Sequence, residues 1–193
     1  MIARTHDAAA ITTLAFIFIA APPASISLAT VLIAIFANLI GGIAPDLDQP
    51  TAPFWRNLPI GKYFGRLFGM VVGGHRFLSH SILGVALFVF LFHSLLMFIH
   101  PLMANVDTGF VTWAFAIGMV SHLVFDSFTK EGVPWLLPVP IKFGFPPLKR
   151  WRITTGKWLE TTVIFPALLV LLGWVIFANY DQLVEIMRHT IIR

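Results

Sequence analysis

The chain contains no cysteine. Disulfides and thiolate metal sites are thereby excluded, so a metal centre here has to be built from histidine nitrogens and carboxylate oxygens. Charge is scarce as well. Asp, Glu, Lys and Arg make up 11% of the 193 residues, against roughly 25% in a soluble domain. No charged residue lies between Asp7 and Asp46, and Phe77 opens a run without Asp, Glu, Lys or Arg that lasts to Asp107. No internal repeat and no low-complexity tract divides the chain, and its length suits one domain, residues 1–193. These gaps exclude a water-soluble fold.

What is present is apolar, at 58% of residues. Four stretches, about 24–44, 78–99, 110–129 and 161–179, reach the roughly 20 apolar residues needed to cross a bilayer. A shorter fifth runs from Thr5 to Ala21 and stops at Pro22-Pro23, where a helix must end or kink. Arg4 followed by AFIFIAAPPAS also has the outline of a cleavable signal peptide. The charge-free stretch resumes directly after Pro23, however, as a helical hairpin requires. The expected fold is all-α: a polytopic transmembrane bundle of about five spans.

Five spans place residues before Thr5, loop 45–77 and loop 130–160 on one membrane face. Of the 13 Lys and Arg residues, all but Arg188 and Arg193 fall there. Basic residues collect on the cytoplasmic side, so the N-terminus is expected inside. The net charge of +4 is then explained by anionic lipid headgroups, and no nucleic-acid partner is expected.

The same bookkeeping gathers the chemistry. His6 starts span one, Asp46 and Asp48 end span two, His75 and His80 open span three, His122 and Asp126 close span four, and Glu160 opens span five. Every span delivers a metal-ligating side chain to the same face, and ionisable residues at membrane depth are functional candidates. His93, His100 and His189 belong to the other half. His122 and Asp126, four apart in SHLVFDSFTK, share one helix face. Neutral imidazole with carboxylate suits zinc, or manganese or iron. In APDLDQP the two aspartates, two apart in an extended segment, point the same way. In GGHRFLSHS, His75 falls in the loop after Gly73-Gly74, and the fork-shaped guanidinium of Arg76 suits a phosphate oxygen.

PDLDQP, HRFLSHS and SHLVFDSFTKEGVPWLLP, in that order, resemble the LexA-regulated, membrane-bound metal-dependent hydrolase family, typified by a small bacterial inner-membrane protein. That family shows Asp-x-Asp-His-Pro, then His-Arg-Gly-x-Thr-His-Ser, then Ser-His-x-x-x-Asp-x-x-Thr followed by Gly-Val-Pro. Gln49 replaces the usual histidine, and Phe77-Leu78 replaces the glycine-containing pair. More remotely, the His-x-x-x-Asp pattern is similar to zinc-dependent phospholipase C and P1-type nucleases.

Residues and resemblance together give the expectation of a phosphoester hydrolase at the cytoplasmic face of a bacterial inner membrane. His6, Asp46, His75, His80, His122 and Asp126 would hold one or two divalent ions, with zinc expected and manganese or iron as alternatives. Asp48 and Glu160 would serve as ligand or base, and Arg76, with Lys157, would bind the phosphate of a lipid or lipid-linked substrate. The alternative is a transporter or metal sensor using the same cluster as an ion path. Loop 130–160, rich in proline, tryptophan and basic residues, is expected to lie in the headgroup region, with a short hairpin within IKFGFPPLKRWRI. The tail YDQLVEIMRHTIIR is expected to form an amphipathic helix.

Overall fold

The computed structural model describes residues 1–74, 76–103, 105–139 and 141–191. Its α-helices are α1 (Ala3–Ala20), α2 (Leu28–Ile43), α3 (Pro53–Arg56), α4 (Gly61–Val71), α5 (Ile82–Ile99), α6 (Thr108–Ser127), α7 (Phe165–Ala178) and α8 (Tyr180–Ile191). Four segments are long and apolar enough to cross a membrane: Leu28–Asp48, Ile82–Leu102, Thr108–Ser127 and Leu159–Ala178. α1, which carries Arg4 and Asp7, is not among them. It nevertheless runs antiparallel to α6, with its His6 ring stacked on His122 and its Phe18 ring against Phe110. Eighteen residues rise about 27 Å, so α1 matches the other helices in height. Its polar residues are tolerated because Thr5, His6 and Thr12 are buried against its neighbours.

Lipid is as apolar as leucine, so helices in a bilayer associate through close packing and hydrogen bonds. Small residues meet that need where α2 meets α6. A Cβ on Gly41 would lie 2.2 Å from the Phe115 carbonyl oxygen, and one on Gly118 only 2.1 Å from that of Asn38. The two backbones therefore touch, and the Asn38 amide donates across the seam to the Ala114 carbonyl at 3.0 Å. Val111, Ala114, Phe115 and Met119 form an apolar core beneath this seam. Capping side chains set the helix starts: Ser27, Ser81 and Asp107 accept from the backbone N–H groups of Thr30, Gly84 and Phe110, each such cap being worth about 1 kcal/mol.

Three expectations are corrected. Span three begins at Ile82 rather than near 78, because Leu78–His80 forms a 3-10 turn and Ser81 caps the helix. Loop 45–77 is not a plain loop, since it folds into a 3-10 turn at Ala44–Asp48 followed by α3 and α4. IKFGFPPLKRWRI forms no hairpin of its own. Pro146 and Pro147 have no N–H to donate, and their carbonyls instead accept from the Arg152 guanidinium. Phe143 bridges to Val133 and Ile153 to Thr129, which folds the 130–160 segment back over the end of α6. Its Phe143, Phe145, Leu148, Trp151 and Trp158 remain exposed, as an interfacial segment requires. The tail is helical, as expected.

Candidate metal centre

α1, α5 and α7 start, and α2 and α6 end, at one end of the bundle, and the ionisable residues meet there. Two groups have ligand-capable atoms within 4.8 Å of one another: His6, His122 and Asp126, and Asp46, His80 and His122. His122 belongs to both. Asp46 is 28% exposed and marks the opening, while the side chains of the other four are at most 1% exposed. Membership in these groups bears out the shared sidedness read from the sequence for five residues. His75 lies outside the described residues.

Hydrogen bonds decide which nitrogen of each ring faces inward. His122 Nδ1 lies 2.6 Å from the Gly42 carbonyl oxygen, which can only accept, so Nδ1 carries the proton and Nε2 holds a lone pair. Its four-residue spacing to Asp126 works as expected, with Nε2 3.9 Å from Oδ2. At His80, Nδ1 lies 3.0 Å from the Ser79 hydroxyl. That hydroxyl gives its one proton to Asp48 Oδ2, so the ring nitrogen must donate to Ser79. In the neutral rings this leaves Nε2 as the acceptor nitrogen, and the Nε2 atoms of His80 and His122 stand 3.7 and 3.6 Å from Asp46 Oδ1.

Asp46 and Asp48 do not point the same way. A 3-10 turn, with three residues per turn, rotates residues two apart by about 240°, so Asp46 faces the histidines while Asp48 turns to the loop after α4. Besides Ser79, Asp48 accepts the backbone N–H of Arg76 at 3.0 Å, and it stands 3.6 Å from His80 Nδ1. It orients His80, and it belongs to neither group of candidate ligands.

Arg76 is turned inward. Its guanidinium pairs with Asp126, donates to the Gly132 carbonyl at 3.1 Å and to Thr129 Oγ1 at 3.4 Å, and faces Glu131 at 3.4 Å. The Met1 amino group meets the other oxygen of Asp126. Glu160 is fully buried on a π turn, Leu159–Ile164. The widened turn precedes Pro166, which cannot supply a helical N–H. Glu160 Oε1 accepts the Ile2 N–H at 2.7 Å and Oε2 the Gly156 N–H at 2.6 Å. Oε1 thus ties the start of α1 to the last span while Oε2 holds the loop that leads into it, and Glu160 joins neither ligand group. Lys157 is exposed. In the far half, His93 bonds Thr112 at 3.0 Å and His100 sits in a 3-10 turn. Sequence reasoning missed the supporting roles of Ser79, Thr129 and the Gly42 carbonyl. The small residues Gly41, Gly42, Ala114 and Gly118 were the available signal, because their spacing marks a close helix seam.

A family model described as "YdjM inner membrane protein" matches residues 1–187. The chain belongs to this family. The YdjM description and the four apolar segments agree on a multi-pass membrane protein. A relative from Bacillus subtilis (strain 168), described as "Uncharacterized protein YvsG", is 27% identical over 129 residues, which cover 66% of this chain and 69% of the relative. No solved structure matches. Neither YdjM nor YvsG carries an activity in its description, so the chemistry has to be argued from the site.

Proposed function

We propose that this YdjM-family protein is a metal-dependent hydrolase of the bacterial inner membrane, acting on the phosphoester of a lipid or lipid-linked substrate. One observation carries the reading: His122 Nε2 stands 3.6 Å from Asp46 Oδ1 and 3.9 Å from Asp126 Oδ2, and the His6 ring stacks on that of His122, both histidines lying deep in the bundle. A buried polar atom without a partner costs about 1–3 kcal/mol. His122 Nε2 and both ring nitrogens of His6 are buried without a hydrogen bond. A divalent cation between these atoms turns that cost into coordination. The donor set holds nitrogen and oxygen and no sulfur, which fits zinc, manganese or iron.

Asp46, His80 and His122 would hold one ion, and His6 and Asp126 with His122 would hold a second. When bound, such ions supply Lewis acidity and lower the pKa of water. The protein does the rest. Asp48 and Ser79 fix the His80 ring, the Gly42 carbonyl fixes that of His122, and Arg76 holds Asp126, so the ligands are preorganised. The partial exposure of Asp46 gives the substrate phosphate its approach. Arg76 acts in this reading mainly as a positioning residue, its Asp126-bound edge being the part a phosphate would meet. The basic residues of 130–160 support a site at the cytoplasmic face with the N-terminus inside.

Transport is the weaker reading. Between the site and the far end of α6 the core is mainly Val111, Ala114, Phe115 and Met119, and the buried amide of Asn38 is committed to the Ala114 carbonyl, which argues against a continuous polar path. The test is metal analysis of purified protein, followed by a panel of phosphodiesters and lipid phosphates. Bound divalent metal with turnover of a lipid phosphate is the expected result. Metal-loaded protein that turns over no phosphoester refutes hydrolysis, and protein that binds no divalent ion refutes the centre itself.

A further inference from the structure

α4 has three faces. Gly61, Gly65 and Gly69 form the inner one, and each lies hard against protein. Added Cβ atoms would stand 2.2 Å from the Trp55 carbonyl oxygen, 2.7 Å from Trp55 Cδ1 and 2.6 Å from the Asp48 carbonyl oxygen. Lys62 and Arg66 stand exposed along one border. The remaining arc is apolar and open: Tyr63, Phe64, Leu67, Met70 and Val71 are 54–76% exposed, and Ile60 just before the helix is 66% exposed. So large an apolar face signals an interaction surface.

Depth identifies what covers it. The half-buried Phe68 ring lies 6.1 Å from that of Phe88, six residues along the membrane-crossing α5 from Ile82 and hence about 9 Å in from its start. The Phe68 side chain of α4 therefore reaches the depth of the first turns of a span. On the neighbouring α5, Leu83, Leu87 and Leu91 are likewise exposed. Eleven residues rise about 16 Å, too short to cross a bilayer and of the length that lies in its plane. The basic border suits anionic headgroups, reached by side chains that extend out of the apolar layer.

We propose that α4 lies in the membrane plane, immersed at acyl-chain depth on the side of the candidate metal centre, with lipid as the partner of its open arc. The inference is independent of any hydrolytic activity, since it rests only on the crossing helices and on α4 itself. It puts the turn that carries Asp46 and Asp48 next to lipid rather than next to water.

The absence of native cysteine makes the test direct. Phe64→Cys, Leu67→Cys and Lys62→Cys, made singly in the full chain, are spin-labelled and reconstituted into vesicles of phosphatidylcholine with phosphatidylglycerol. Collisional relaxation by oxygen is compared with that by a water-soluble nickel chelate. Labels at 64 and 67 should favour oxygen several-fold, and the label at 62 should shift toward nickel. Nickel access equal to or above oxygen access at 64 and 67 overturns the proposal. So does spin–spin broadening there that vanishes on dilution with unlabelled protein, which would make a second copy the partner. Tyr63→Cys and Met70→Cys report on the same arc should Phe64→Cys fail to fold.

Discussion

Gly118→Ala tests whether the helix seam builds the metal centre. The new Cβ would lie 2.1 Å from the Asn38 carbonyl oxygen, 2.8 Å from the Gly42 nitrogen and 3.0 Å from the Asn38 carbonyl carbon. All three are backbone atoms, so no side chain can swing aside. Ordinary contact begins near 3.4 Å, so α2 and α6 must separate by roughly 1 Å to restore normal van der Waals distances. Overpacking of this kind costs about 1–3 kcal/mol. The same movement lengthens the 2.6 Å contact between His122 Nδ1 and the Gly42 carbonyl, which fixes the ring common to both ligand groups. Loss of such an outer partner lowers metal affinity by about 10–100-fold. The assay is competition with a chelator of known affinity, alongside thermal unfolding in detergent. Gly173→Ala is the control, because nothing lies within 4 Å of its Cβ position, and it should match wild type in both readouts. A Gly118→Ala protein that binds metal as tightly as wild type and melts at the same temperature would refute the reasoning.

His122→Ala and Asp126→Ala should each strip bound divalent metal from protein that still inserts, whereas His93→Ala, whose ring bonds Thr112 in the far half, should leave metal content unchanged; elemental analysis of the three decides. Ser79→Ala breaks the relay that fixes the His80 tautomer without touching a ligand, and should weaken metal binding by about 10–100-fold in the same chelator competition. An unchanged affinity would mean that the His80 ring is held by other means. Arg76→Lys keeps a charge but loses the fork that reaches Asp126, Thr129 and Gly132 together, so lipid-phosphate turnover should fall by about ten-fold while metal stays bound. Reporters inserted in segment 141–150 should be cytoplasmic and those at 105–107 external, and the reverse labelling pattern in intact cells would overturn the orientation.

The chain's apolar runs and their polar ends made most of the architecture readable before any coordinates. Hydrophobic length marks a span almost regardless of context, because the bilayer imposes one thickness on all of them. The meeting of His6, His80 and Asp46 with the His122–Asp126 pair was readable for the same reason: spans of equal height bring their ends to common levels. Local geometry was less accessible. Asp46 and Asp48 read as an extended pair, yet Pro45 sits at the second position of a 3-10 turn, and that turn sends the two carboxylates to different tasks. Arg76 read as an open fork for phosphate. It takes a left-handed backbone with φ 57°, which sets its N–H on Asp48 and turns its side chain inward, and no residue pattern announces that. Glu160 read as ligand or base, but two backbone N–H groups from separate parts of the chain claim its oxygens.

The Glu160 staple also orders events during biogenesis. α1 is made first, and with Arg4 and Asp7 near its start it is the helix least able to hold itself in lipid. Its polar side chains find burial against α2, α6 and α7, and Ile2 finds its acceptor only when residue 160 has been made. The first helix must therefore wait, weakly held, for the last one to dock. A ribosome that stalls before α7 leaves the start of α1 unanchored, even though His6 already has its stacking partner, His122, on α6. The bond from the Ile2 N–H to Glu160 thus marks the moment at which the last span has docked.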